Sequence, residues 1–183
     1  MSDVQTRAMV LFWMVALMWG LELTDQILFR RSLDAWGIVP RSMSGLWGIA
    51  FAPFLHGGFA HLIANTIPFL TLGWLVALRG VRELVAVTVL VAVVGGLGVW
   101  LFARPGTIHI GASMLIFGYL GFMLTRGIFE RSFLGIVLAL IVGLVYGGAL
   151  WGIIPGQRGV SWEGHLFGLL TGILSAWLLA ARR

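Results

Sequence analysis

The chain contains no cysteine and no lysine, and only 10% of its 183 residues are charged. Without cysteine there can be no disulfide framework, no thiolate metal site and no cysteine nucleophile. The scarcity of charge, set against 60% hydrophobic residues and a mean hydropathy of +1.00, excludes an ordinary soluble domain of this length. A polytopic, all-α membrane protein is predicted. The twelve basic residues are all arginine and the net charge is +5, but they are scattered through short loops, where membrane topology accounts for them. Nucleic acid is thereby excluded as a partner, and the lipid bilayer takes its place.

Six stretches approach the ~20 mostly apolar residues that a helix needs to cross a bilayer core. They lie at about 8–23, 59–78, 83–103, 112–129, 132–153 and 162–181, in one domain over 1–183. Arginine with glycine or proline marks the breaks at 79–83, 104–106, 126–131 and 155–159. The first span lacks a small-residue cleavage site and reads as a retained anchor. Six spans place both termini on one side. Arg7, Arg79, Arg82, Arg126, Arg131, Arg182 and Arg183 gather there, which favours the cytoplasm, with the protein multi-pass in the cell membrane. The first loop, about 24–58, is too apolar to float in water, and Trp36 and Trp47 suit a segment lying in the headgroup region.

The 26 glycines are patterned. Gly164, Gly168 and Gly172 recur at intervals of four in the last span, and Gly143 and Gly147 in the fifth. Such spacing lets helix backbones approach closely in lipid. His165, Gly168 and Gly172 share one face, so the histidine points at a neighbouring helix. For the fifth span the glycines leave open whether packing is loose or tight, and residues 155–161 read as the hinge of a lid.

Polar and titratable groups inside a bilayer are costly, and each is a functional candidate. Ser113, in Gly111-Ala112-Ser113-Met114, falls where the chain leaves a loop and starts a helix, beside free backbone N–H groups. Gly111 allows close approach of the backbone. His165, in the last span, is expected neutral and able to take a proton from Ser113. The fourth and sixth spans contain no aspartate to orient it. Phe117, one turn after Ser113, could pack on the imidazole instead. His61 and Asn65, four apart, share one stripe of the second span and supply donors suited to an oxyanion, together with the Ser113 backbone. His56 is expected to be structural, and Glu22 and His109 receive no role. A zinc site of His56, His61 and His165 lacks an H-E-x-x-H motif and a carboxylate. No metal and no cofactor are expected.

Taken in order, H-x4-H-x3-N (His56, His61, Asn65), G-x-S (Gly111, Ser113) and G-H-x2-G-x3-G (Gly164, His165, Gly168, Gly172) resemble the rhomboid family of intramembrane serine proteases. The resemblance implies a six-helix bundle with a membrane-associated first loop and a water-filled cavity. In it Ser113 would be the nucleophile, His165 the base, and His61, Asn65 and the Ser113 N–H the oxyanion hole. The substrates it implies are single-pass transmembrane proteins, cleaved without metal or cofactor. The chain departs from the family in three places: Met114 stands where a second glycine is common, a Trp-Arg pair is missing from the first loop, and Phe117 replaces a frequent tyrosine. Met114 could narrow the cavity. It is the one support for the alternative, a catalytically inactive relative that binds membrane helices as a chaperone or scaffold.

Overall fold

The computed structural model describes residues 3–157 and 159–181; Arg158, Arg182 and Arg183, which enter the charge count above, lie outside the described residues. Among the described residues there is no strand, only one antiparallel bridge, between Ile38 and His109. The helices are α1 (Asp3–Thr24), which continues into a wider turn at Asp25–Phe29, the short α2 (Gly48–Phe51), α3 (Phe59–Ala77) and α4 (Val81–Leu90). They are followed by α5 (Gly96–Phe102), joined to α4 through a π-type turn at Val91–Gly95, and by α6 (Ser113–Phe129). Last come α7 (Phe133–Tyr146), which tightens into a 3-10 helix at Gly147–Ile153, and α8 (Trp162–Ala180). Five of these stretches are long and apolar enough to cross a membrane: Asp3–Phe29, Phe59–Ala77, Val81–Phe102, Phe133–Ile153 and Trp162–Ala180. The protein is a multi-pass membrane protein.

Helix α6 is apolar but shorter, with 17 residues, and is buried along most of its length. It occupies the centre because its glycines remove the side chains that would hold neighbours away. A Cβ on Gly168 or Gly172 of α8 would overlap the carbonyls of Met114 and Gly118, and one on Gly121 would overlap that of Leu169. Phe69 of α3 packs on Tyr119 with ring centroids 5.7 Å apart. The fifth span is the loosest, as the exposed faces of Leu140, Leu144 and Val145 show. A Cβ at Gly147 or Gly148 would meet no atom within 4 Å.

At one end of the bundle the sequence reading needs correcting. Arg126, read above as part of a polar break, lies in the last turn of α6 and is buried. Its guanidinium pairs with Glu83 of α4 and with Glu130, each at 2.8 Å, and donates to the Ala176 carbonyl of α8 at 3.0 Å. Arg79 joins the same network through Glu130 at 2.5 Å. At the other end, the long first connection is pinned to the loop before α6. Ile38 and His109 exchange backbone bonds of 3.0 Å, and the Arg41 side chain donates to the Ala103 carbonyl at 2.7 Å.

Candidate active site

The helices alternate in direction, so the N-termini of α3, α6 and α8 meet at the end of the bundle opposite the arginine network. A cavity of about 1170 Å³ opens between them. His61 is the third residue of α3, Ser113 the first of α6 and His165 the fourth of α8, and all three line this cavity with Asn65 and Phe117. Each helix start leaves backbone N–H groups without helical partners and carries the positive end of a helix dipole. Three such ends around one space favour a negative charge developing inside it.

Each start is built by a local device. Gly58, at φ 124°, turns the chain into α3, and the Ser161 hydroxyl caps α8 by accepting from the Gly164 N–H at 3.2 Å. Ahead of α6, Gly111 adopts φ 111°, a region that side chains rarely enter. A Cβ there would lie 2.7 Å from His61 Cε1, so the glycine is required for the Ser113 loop to lie against the imidazole. His56 secures that loop from below: its Nε2 accepts from the Ala112 N–H at 3.3 Å. Burial lowers the pKa of His56 to about 4, helped by His61 and opposed by the Phe54 carbonyl, which keeps the acceptor nitrogen unprotonated.

The two half-buried histidines of the cavity have complementary partners. His61 Nδ1 accepts from the Gly57 N–H at 3.4 Å, which assigns its proton to Nε2 and makes it a donor. His165 Nδ1 lies 2.9 Å from the Gly152 carbonyl and can only donate to it, which leaves Nε2 as an acceptor. The His165 ring is stacked on Phe117, with centroids 4.1 Å apart and planes 7° from parallel. No hydrogen bond joins Ser113 to His165 among the described residues; in unliganded sites such bonds are commonly long and close when substrate binds. Asn65 is buried, and its Nδ2 has no partner. Since Asn65 lines the cavity, its amide is placed to donate to an acceptor within it.

Gly168 serves the close α6–α8 approach one turn after His165, while Met114 does not line the large cavity. Its side chain is 6% exposed and packs toward Gly95. Sequence reasoning missed Gly152, because a backbone carbonyl carries no residue signature. It also gave no role to His109, which proves to be buried: Nδ1 takes the Ser161 hydroxyl at 2.6 Å, and Nε2 donates to Thr107 at 2.8 Å. Glu22, likewise left without a role, is buried and accepts from Gln26 at 2.8 Å. Among the described residues, no group of three or more histidine, cysteine, aspartate or glutamate side chains could hold a metal ion.

Comparison with known proteins identifies the family. The chain matches the rhomboid domain over residues 43–182. It belongs to the rhomboid family. It is 49% identical to uncharacterised proteins of Mycobacterium tuberculosis and Mycobacterium bovis over 175 residues, which cover 91% of this chain and 72% of theirs. It is also 28% identical over 143 residues to the protein of Bacillus subtilis named "Putative rhomboid protease YdcA", covering 76% of this chain and 71% of that one. The RHOMBOID-like protein 4 of Arabidopsis thaliana is 33% identical over 147 residues, or 74% of this chain and 34% of its own length. Ser113, His165, His61 and Asn65 all fall inside the matched rhomboid domain.

Proposed function

We propose that this rhomboid protein is an intramembrane serine endopeptidase that cleaves transmembrane-helix substrates through a Ser113–His165 dyad. The observation that carries the reading is the pair of opposed histidine tautomers in one cavity. His165 presents a lone pair where a base is needed, and His61 presents an N–H where an oxyanion would form.

In the reaction, Ser113 Oγ attacks the carbonyl carbon of the scissile peptide bond and its proton passes to His165 Nε2. The tetrahedral oxyanion is held by His61 Nε2–H, Asn65 Nδ2–H and the Ser113 backbone N–H, in the field of the three helix starts. When the C–N bond breaks, His165 returns its proton to the leaving amine, and water later hydrolyses the acyl-enzyme ester with His165 again as base. The Gly152 carbonyl fixes the tautomer that an aspartate fixes in the usual triad, and Phe117 fixes the ring plane. The chemistry requires neither metal nor cofactor.

The same reading places six spans in the cell membrane with both termini cytoplasmic, and makes α6 the short central one. Seventeen residues rise about 25 Å, less than the ~30 Å of a hydrocarbon core. Its first residue, Ser113, then lies below the outer surface, reached by water through the cavity. The exposed Ile27, Leu28, Trp36, Met43 and Trp47 suit a first loop set against lipid. Partners are single-pass transmembrane proteins, and no nucleic acid is involved. The alternative of an inactive scaffold rested on Met114, which is not among the residues lining the large cavity.

The test is cleavage of a transmembrane reporter in proteoliposomes. Wild-type protein is expected to cut it, and folded Ser113→Ala and His165→Ala variants to leave it intact. Undiminished cleavage by either variant would remove the dyad.

A further inference from the structure

We propose that Glu163 is a specificity-determining residue, which gives the cavity a subsite for a basic substrate side chain, lysine or arginine, close to the cleaved bond. The proposal rests on the serine-protease reading above. Glu163 is the second residue of α8, two before His165; it is 8% exposed and lines the cavity that holds Ser113.

Among the described residues nothing bonds its carboxylate. The two other acids buried to this degree, Glu22 and Asp25, each have a donor, and the half-buried Glu83 and Glu130 have a cation. Glu22 accepts from Gln26 at 2.8 Å and Asp25 from the Leu33 N–H at 3.0 Å, while Glu83 and Glu130 share Arg126. The residue is nine-tenths buried while its carboxylate oxygens are not closed off from the cavity, so a negative charge faces that space with no donor and no cation of the protein bonded to it. A cationic side chain entering the cavity would compensate it.

The neighbouring groups do not do so. Both ring nitrogens of His109 are taken, one by Ser161 and one by Thr107, whose own hydroxyl donates to the Arg104 carbonyl at 2.6 Å. Burial holds the pKa of His109 down, against the opposing charge of Glu163, so the ring adds no cation at neutral pH. His61 and His165 spend their Nδ1 atoms on Gly57 and Gly152. Arg104 lines the same cavity but is exposed, and no ion pair joins it to Glu163. A glutamate in the first turn of a helix does complement the helix dipole, by roughly 0.3–1 kcal/mol. That explains its tolerance at α8 and gives no reason for its burial against the cavity.

The experiment uses transmembrane reporters identical except for one residue, lysine, glutamine or glutamate, stepped along the segment around the cleavage site, with wild-type and Glu163→Gln proteins in proteoliposomes. At one position the wild type is expected to favour lysine over glutamine by roughly tenfold or more in kcat/KM. The ratio should fall to about one in Glu163→Gln and reverse toward glutamate in Glu163→Lys. A lysine preference at no position, one that survives Glu163→Gln, or an equal loss on every reporter would overturn the proposal, the last marking mere support of the helix start. The affinities of the lysine and glutamine peptides for Ser113→Ala protein, with and without Glu163→Gln, judge the subsite apart from hydrolysis. A lysine preference that needs Glu163 supports it even if no cleavage occurs, and equal affinities overturn it. Cleavage that persists in Ser113→Ala would instead count against the serine-protease reading.

Discussion

Replacing Gly152 by alanine probes the backbone contact that stands where a triad would have its aspartate. A Cβ at this position would lie 2.8 Å from His165 Nδ1 and 3.2 Å from Phe117 Cζ. Ordinary van der Waals contact begins near 3.4 Å, so the ring must retreat from the 3-10 segment by about 0.6 Å. The Nδ1–O distance of 2.9 Å would stretch by a similar amount, to the limit of a hydrogen bond. A misplacement of about 1 Å at a reacting group can cost ~10²-fold in rate, so 0.6 Å together with a lost orienting bond should lower kcat about tenfold or more. Overpacking of this kind costs stability by roughly 1–3 kcal/mol. The assay is reporter turnover at saturating substrate beside thermal unfolding in the same detergent, with Gly147→Ala and Gly148→Ala as companions. Their Cβ atoms meet nothing within 4 Å, so both should turn over as wild type. Wild-type kcat in Gly152→Ala, or equal losses in all three variants, would refute the claim that this carbonyl holds the base.

Asn65→Ala should slow cleavage by ~10²–10³ without lowering the unfolding temperature, because the amide nitrogen it removes has no partner in the resting protein; a loss of stability equal to the loss of rate would mark the residue as structural. Arg126→Met should destabilise the fold by up to roughly 3–5 kcal/mol, since it takes the 2.8 Å cation from Glu83 and Glu130 and leaves them Arg79 alone, at 3.5 Å and 2.5 Å; thermal unfolding reads this directly, and an unchanged midpoint would contradict it. The pKa of His56 falls from 6.5 to about 4 on folding, so the unfolded chain binds the extra proton and stability is full above about pH 6.5. It is lost as the pH falls from there toward 4. His56→Phe should flatten that limb of the stability profile, and an unchanged acid limb would contradict the assignment.

Five long apolar stretches were legible because a helix facing lipid must be apolar around its whole girth, and their ends because arginine, glycine and proline interrupt the runs. Ser113, His61, Asn65 and His165 were legible as candidates for the converse reason, that polar groups at membrane depth stand out against sixty per cent hydrophobic sequence. What escaped was everything carried by backbone or by distant pairing. The Gly152 carbonyl has no side chain to announce it. Arg126 looks like any loop arginine until the fold brings Glu83 of another helix within 2.8 Å. The Ser161–His109 bond joins residues from two different loops, and Glu163 hides behind the common habit of placing acids in the first turn of a helix. Packing answered what glycine spacing left open: the fifth span is loose at Gly147 and Gly148 and tight at Gly152.

Labelling with a fluorophosphonate probe, followed by peptide mass spectrometry, tests most directly whether Ser113 is a nucleophile activated by His165. The account predicts a single adduct on Ser113 in the wild type and none in folded His165→Ala protein. An adduct on Ser161, which is already bonded to a histidine in the same cavity, or labelling of Ser113 that persists without His165, would contradict it.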